Sequence, residues 1–495
     1  MRLKDVAKLL VTSRLVGDGE TEIAGIGNDS RTIGAGHLFI CLKGHRVDGH
    51  RFAAEAAEAG AAAIVAEREL AVRVPQLIVK DSRLAMAAIA NHYYRYPSRD
   101  VKLIGVTGTN GKTTTTYLIE QVLNDRGMPA GVIGTIELRY GGQSFPMSGT
   151  TPQTLRLQEY LSRMRDAGTE YCAMEVSSHA LEQGRVKGCR FRTAVFTNLS
   201  QDHLDYHETM DRYEAAKGLF FSRLGNEYAP KESDRSYAVL NADDGASAAY
   251  AELTAAEVVT YGIDNAADVR ASDIRITAKG TAFHVNTFRG EADVTLRMAG
   301  KFNVNNALAA MSALLLEGVP LDAIAASLGA IPGVPGRVEA VDAGQSFAVI
   351  VDYAHTPDGL DNVLKAVREF AGKRIICVFG CGGDRDRTKR PLMGLIAARL
   401  SEYIIVTSDN PRTEDPALIM KDIEEGLTGA GAPRDKYELI ADRRAAIQKA
   451  VEMASPGDVV LIAGKGHETY QDINGVKHPF DDRIVAKEAI RGIIN

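Results

Sequence analysis

One short stretch constrains this chain more than any other: Gly105-Val-Thr-Gly108-Thr109-Asn110-Gly111-Lys112-Thr113-Thr114, continuous with the apolar run Leu103–Val106. A strand running into a glycine-rich turn that opens a helix is the context a phosphate-binding loop requires. Glycines let backbone N–H groups approach phosphate oxygens, and the helix N-terminus adds partial positive charge. Lys112 is placed to meet the β- and γ-phosphates of ATP, and the Thr113 hydroxyl to reach Mg²⁺. Val106 stands where the strict GxxxxGK[ST] pattern has its first glycine, so the core here is TGTNGKTT, with Gly108 three before Gly111. In the following helix Leu118 and Val122 pair at i,i+4, as do Ile119 and Leu123, and Gly127 predicts the stop.

A chain of 495 residues is too long for one core. The pattern breaks at 94–100, with Pro97, and at 331–337, where two prolines and two glycines exclude a helix or central strand. These breaks predict domains at 1–98, 99–332 and 333–495, each α/β: a small N-terminal domain, a central P-loop ATPase-like domain and a C-terminal Rossmann-like domain. The first mixes short strands with an alanine-rich helix over Phe52–Gly60 and a strand over Ala62–Ala66. In the last, the apolar runs Phe347–Val351, Ile375–Phe379, Tyr403–Val406 and Val459–Ala463 alternate with helical stretches, which predicts a parallel sheet. Each run gives way to polar or glycine-rich sequence, and ligands of open α/β sheets gather at those carboxyl ends.

A net charge of -6 argues against a nucleic-acid scaffold, which needs clustered positive charge. The N-terminal MRLKDVAKLLVTSR alternates apolar and charged residues instead of forming a signal peptide's apolar block, and no stretch reaches the roughly 18 apolar residues of a membrane span. Five scattered cysteines suit a reducing cytoplasm better than a disulfide framework. Cys377 and Cys381 are four apart, but no companion ligands flank them.

Two further segments point to chemistry. Tyr171–Val176 reads as a buried strand ending near Glu175, where a carboxylate can hold Mg²⁺ directly or through water. After the apolar Ala194–Phe196 comes Thr197-Asn-Leu-Ser-Gln-Asp-His203-Leu-Asp-Tyr-His207, a crowd of ionisable groups typical of a site loop. Taken singly, His207 reads as a surface histidine, and Lys217 as a solvated helix lysine.

TGTNGKT, Glu175-Val-Ser-Ser-His179, Asn198-Leu-Ser-Gln-Asp-His-Leu-Asp205 and Gly300-Lys-Phe-Asn-Val-Asn-Asn306 together resemble the ATP-dependent muramyl ligases, over nearly the whole chain. Asp29-Ser30-Arg31, Gly44–Gly49 and Asp409-Asn410-Pro411-Arg412 resemble the branch that adds meso-diaminopimelate to UDP-N-acetylmuramoyl-L-alanyl-D-glutamate. The resemblance implies a cytoplasmic, monomeric enzyme that uses ATP and Mg²⁺. It assigns Asn28, Ser30, His45, Arg46 and Val47 to the UDP-sugar, and Thr150, Thr151, Ser177, Gln183 and Arg185 to the muramyl dipeptide. ATP falls to Gly108–Thr114, Asn303, Arg337 and Asp352. Metal falls to Thr113, Glu175, His203 and Lys217 as a carbamate, with Lys112, Lys217, His203 and Glu175 carrying the chemistry. Diaminopimelate falls to Arg385, Asp409, Asn410, Pro411, Arg412, Gly464 and Glu468. Asn28 stands at a position often apolar in such proteins. A guanidinium fork at Arg412 matches a carboxylate, although it could instead pair on the surface with Glu414 or Asp415. Three other readings stand beside this one: the same ligase using L-lysine, a folylpolyglutamate-type ligase, and a non-catalytic nucleotide-dependent scaffold.

Overall fold

The computed structural model describes residues 1–44, 47–147, 149–226, 231–277 and 280–494. The chain forms two compact units: residues 1–105 with 128–192, and residues 106–127 with 193–495. The strand Lys102–Thr107 carries it from the first into the second.

The first unit holds a five-stranded sheet, ordered Arg14–Val16, Gln76–Ile78, Ala63–Ala66, His37–Ile40, Gly25–Gly27. Its first pair is antiparallel and the rest parallel. The alanine-rich segment is a 3₁₀ turn at Gly49–Phe52 followed by the helix Ala53–Glu58. Asp81 caps the helix Ser82–Tyr93 by accepting from Arg83 and Leu84 N–H, a contact worth about 1 kcal/mol. The same unit carries Tyr171–Glu175 parallel to Ala130–Ile133, which continues antiparallel through Glu137–Tyr140 to Gln143–Pro146.

Phe191–Phe196, which enters the second unit at Thr193, runs parallel with Tyr237–Asn241, Glu257–Gly262 and Val269–Thr277, and the sheet then turns antiparallel through Gly280–Thr287 and Gly290–Leu296. The helix Lys301–Leu316 is buried nearly all round and packs on the phosphate-loop helix Lys112–Asp125. A second sheet has the order Glu339–Ala340, Ala348–Asp352, Val459–Ala463, Ile375–Phe379, Tyr403–Val406, Tyr437–Leu439. Its pairs are parallel except at the Glu339–Ala340 edge. The four expected strands are there, and the two short edge strands are additions that lack an apolar run long enough to read. Its central strands are apolar throughout because both faces are covered, by two separate core clusters. The helix Pro357–Phe370 shows the reason on its own face: Leu360, Val363, Leu364 and Val367 recur at helical spacing and are all buried.

Candidate active site

The phosphate loop folds as its glycines dictate. Gly108 (φ +144°) and Gly111 (φ +85°) take backbone conformations that side chains rarely adopt, and a Cβ at either would collide with Thr197 Oγ1 or Asn306 Oδ1. The segment after Phe196 supports the turn. Thr109 N–H donates to Asn198 O at 2.8 Å, Asn110 N–H to Asn198 Oδ1 at 2.9 Å, and Thr197 Oγ1 to Asn110 O at 2.6 Å. Lys112 Nζ curls over the loop, donating to Gly108 O at 2.9 Å and Thr109 O at 2.7 Å. Thr113 is buried, and its hydroxyl accepts from Arg337 Nη2 at 3.1 Å.

Beside the loop lies a cavity of about 350 Å³. Asn110, Gly111 and Thr114 line one part of it, and Phe302, Asn306, Arg337, Tyr353 and His355 line others. The Arg337 guanidinium lies 4.7 Å from the centre of the Tyr353 ring. Polar amides, aromatic faces and a cation next to a phosphate loop suit a nucleotide. Asp352 also lines it, its carboxylate accepting from Val338 N and Ala354 N at 2.7 Å each while burial raises its pKa. Asn303 does not line the cavity; its amide donates at 2.9 Å to Ala299 O, just ahead of the helix, and Asn305 and Asn306 face the space instead. Sequence reasoning missed Asp358, whose carboxylate accepts from Asn110 Nδ2 and Ser200 Oγ. The available signal was Thr356-Pro357, a cap and first-turn proline that start a helix at a strand's carboxyl end.

Lys217 overturns its solvated reading. Its side chain is 1% exposed, with Nζ donating to Gly108 O at 2.9 Å and lying 4.3 Å from the Tyr213 ring centre. Burial, and then the neighbouring Lys112 charge, push its pKa well below the usual lysine range. His207 is likewise buried and not a surface residue, its ring 5.1 Å from that of Tyr213. Neither is legible locally, because their partners are set by the fold: Gly108 O, 109 residues away, for Lys217, and the Tyr213 ring for His207. His203 holds a left-handed backbone (φ +55°), with Nε2 3.3 Å from Asp202 Oδ2.

At the carboxyl ends of Tyr403–Val406 and Val459–Ala463 the remaining candidates gather. Asn410 Nδ2 donates to Glu468 Oε2 at 2.8 Å, and the fully buried Lys465 donates to both Asn410 Oδ1 (3.0 Å) and Glu468 Oε2 (2.9 Å). Lys465 is a second omission of the sequence reading. Asp409 Oδ2 is buried without a hydrogen-bond partner among the described residues and lies against Gly464. Pro411 is buried and Arg385 exposed. Arg412 holds φ +52°, fixed by Arg412 N→Asp472 O (3.0 Å) and Asn474 N→Arg412 O (2.7 Å), and its Nη1 donates to Gly383 O at 2.6 Å. Glu414 pairs with Arg390 and Asp415 caps the next helix, so the surface pairing of Arg412 with either does not occur.

In the first unit Thr150, Thr151, Ser177, Gln183, Arg185 and Glu175 form one network. Thr151 Oγ1 donates to Glu175 O at 2.9 Å and accepts from Ser177 N at 3.0 Å. Arg185 reaches Thr151 O at 2.8 Å and Gln183 Oε1 at 2.8 and 3.0 Å. The buried Glu175 accepts from Thr135 N and Oγ1, and Thr135 Oγ1 meets Thr150 Oγ1 at 3.0 Å. Asn28 and Val47 are exposed and Ser30 half-buried, while His45 and Arg46 lie outside the described residues. Asp29 and Arg31 pair with each other through three hydrogen bonds, two of them from the guanidinium.

Among the described residues no group of three or more His, Cys, Asp and Glu could hold a metal. The hydroxyl of Thr113 and the carboxylate of Glu175 are hard oxygen donors of the kind Mg²⁺ takes. Lys217 fits that chemistry only as a carbamate, which replaces a cation by a carboxylate. Cys377 and Cys381 are buried, and burial pushes both thiols up to about 12.

Three family models match: Mur ligase family, catalytic domain, over residues 22–94; Mur ligase middle domain over 106–314; and Mur ligase, glutamate ligase domain over 336–466. The UDP-N-acetylmuramoyl-L-alanyl-D-glutamate–2,6-diaminopimelate ligase of Bacillus cereus is 49% identical over 100% of this chain and 99% of its own. The chain belongs to the Mur ligase family. A ligase of the same description from Geobacillus kaustophilus is 53% identical over 96% of this Mur ligase and 96% of its own length. A solved structure of such a ligase shares 34% identity and superposes with a TM-score of 0.70, covering 100% of this Mur ligase and 99% of that chain. A folylpolyglutamate synthase from Mycobacterium tuberculosis, 17% identical with a TM-score of 0.63 over 83% of this chain and 95% of its own, shares the fold. Among the described residues of this Mur ligase, no helix is long and apolar enough to cross a membrane.

Proposed function

We propose that this Mur ligase joins meso-diaminopimelate to UDP-N-acetylmuramoyl-L-alanyl-D-glutamate using ATP, as a cytoplasmic monomer making peptidoglycan precursor. The observation that carries the reading is the near-full-length likeness to ligases of that description, at about half identity. The hydrogen bond from Asn410 to Glu468, with Arg412 two residues along the same loop, supports the choice of amino acid.

The division of labour follows the three domains, at 1–98, 99–332 and 333–495. Residues Asn28, Ser30, His45, Arg46 and Val47 hold the UDP-sugar, and Thr150, Thr151, Ser177, Gln183 and Arg185 the dipeptide. Gly108–Thr114, Asn303, Arg337 and Asp352 serve ATP. The D-glutamyl carboxylate attacks the γ-phosphorus, ADP leaves, and an acyl phosphate results. The amine of diaminopimelate then attacks the acyl carbon, and the tetrahedral intermediate expels phosphate. Lys112 offsets the charge of two anions brought together, a stabilisation worth several kcal/mol in a site that excludes water. Thr113, Glu175, His203 and carbamylated Lys217 would hold Mg²⁺, which neutralises phosphate charge when bound. Neutral amine is the form that takes up CO₂, and the burial that depresses the Lys217 pKa favours it. Arg412 and Arg385 receive the distal carboxylate, and Glu468 accepts from the ammonium beside it.

Phosphate release from purified enzyme with ATP and Mg²⁺ should require both the muramyl dipeptide and diaminopimelate. Release with ATP alone, or with a folate in place of the dipeptide, would refute the proposal.

A further inference from the structure

The helix Lys389–Leu400 begins behind the turn Gly382–Arg385, and its second residue, Arg390, is completely buried. Its guanidinium donates to Glu414 at 2.8 and 3.0 Å, to Asp422 Oδ2 at 2.9 Å and to Gly382 O at 3.3 Å. Glu414 in turn accepts from Asp384 N–H, and Gly383 N–H donates to Asn410 O at 2.9 Å. The side chain of Asp384 accepts from Thr413 N at 3.2 Å and Thr413 Oγ1 at 2.8 Å. Two loops, 382–385 and 410–414, are thus zipped together with one buried cation behind the seam.

Those loops carry Arg385 and Arg412. A Cβ on Gly382 would stand 2.9 Å from Arg412 Nη1 and 3.8 Å from Arg385 Cγ, so both arginines flank one glycine. Asp384 (φ +53°) and Arg412 (φ +52°) hold left-handed backbones facing each other across the seam. Such conformations cost about 1 kcal/mol or more each and persist only where surrounding contacts impose them.

We infer that Arg390 is a positioning residue for amino-acid recognition: through Glu414 and the Gly382 carbonyl it sets the spacing of the loops that present Arg385 and Arg412. The inference rests on the diaminopimelate reading of this pocket. Without the guanidinium, Asp422 keeps only Arg387, at 3.1 Å, while Glu414 loses its cation behind the seam, and the unpaired carboxylate loosens the two loops. Recognition of a carboxylate by guanidinium forks depends on geometry, and a displacement of about 1 Å costs on the order of a hundredfold. The hydrogen bonds of Arg390 go to Glu414, Asp422 and Gly382, none of them in the phosphate loop, so the effect is expected on one substrate.

The test is steady-state kinetics of the full-length enzyme carrying Arg390→Met, Arg390→Lys or Glu414→Gln, with KM measured for each of the three substrates. We expect KM for diaminopimelate to rise about 30-fold or more in Arg390→Met and about tenfold in Glu414→Gln, with those for ATP and the muramyl dipeptide within about threefold. Arg390→Lys, which restores charge without the fork, falls between wild type and Arg390→Met. If Arg390→Met does not fold, Glu414→Gln decides, since Arg390 keeps Asp422 there. Three KM values rising together, or an unchanged diaminopimelate KM in folded Glu414→Gln, overturns the inference. A wild-type enzyme that uses another amino acid overturns the diaminopimelate reading alone, and the same KM split, read with that amino acid, still decides the brace.

Discussion

Lys217 Nζ and Lys112 Nζ both donate to the carbonyl oxygen of Gly108, each at 2.9 Å. Two amines on one oxygen repel when both are charged, and burial first, then the Lys112 charge, lowers the Lys217 pKa. A buried lysine with a lowered pKa beside a phosphate loop gives up its proton more readily than a solvated lysine does.

Lys217→Ala should therefore lower turnover by orders of magnitude, and short carboxylic acids added to the assay should restore part of it. A diffusible carboxylate can occupy the position of the carbamate. Wild-type activity in the alanine variant would reduce Lys217 to a packing residue.

Lys112→Ala should abolish product formation while leaving the melting temperature within a few degrees of wild type. Its amine contacts loop carbonyls and belongs to neither apolar core cluster of the second sheet, so its loss removes phosphate charge stabilisation more than packing. Near-normal product formation, read as phosphate release, is the contrary result.

Arg412 should govern amino-acid choice. L-Lysine lacks the second carboxylate and leaves a half-buried guanidinium without its anionic partner, a mismatch of about 2–3 kcal/mol, or roughly a hundredfold. Wild-type enzyme should prefer meso-diaminopimelate by about that factor, and Arg412→Ala should cut kcat/KM for diaminopimelate far more than for lysine. Equal use of the two amino acids by the wild type would remove this role while leaving the ligase itself standing.

His467 gives a pH dependence of stability. Burial first, and then Arg337, hold its pKa down to about 3, against 6.5 for the ordinary residue. The unfolded chain takes up the proton first, so this stability is full above pH 6.5 and is lost as pH falls from there toward 3. By pH 5 the loss is about 2 kcal/mol. Melting temperatures of wild type and His467→Asn, taken at pH 7 and pH 5, should show the larger drop in wild type. Parallel curves would mean that His467 is not the group responsible.

The sequence alone determined what depends on neighbours along the chain. The turn at Gly108–Gly111 was legible because its glycines, its lysine and the helix that follows are local, and a positive φ selects glycine wherever the fold ends up. The parallel strands of the last sheet were legible because burial on both faces leaves an unbroken apolar run. Tertiary structure decided which charges meet. Glu414 is two residues from Arg412, yet it pairs with Arg390, 24 residues away, because loop closure brings a buried helix start behind it. Lys217 reads as solvated until a distant loop supplies the carbonyl that buries it, and Lys465 is silent until Asn410 and Glu468 close around its amine. Desolvation and pairing depend on what surrounds a group in space, and periodicity along a chain carries no record of it.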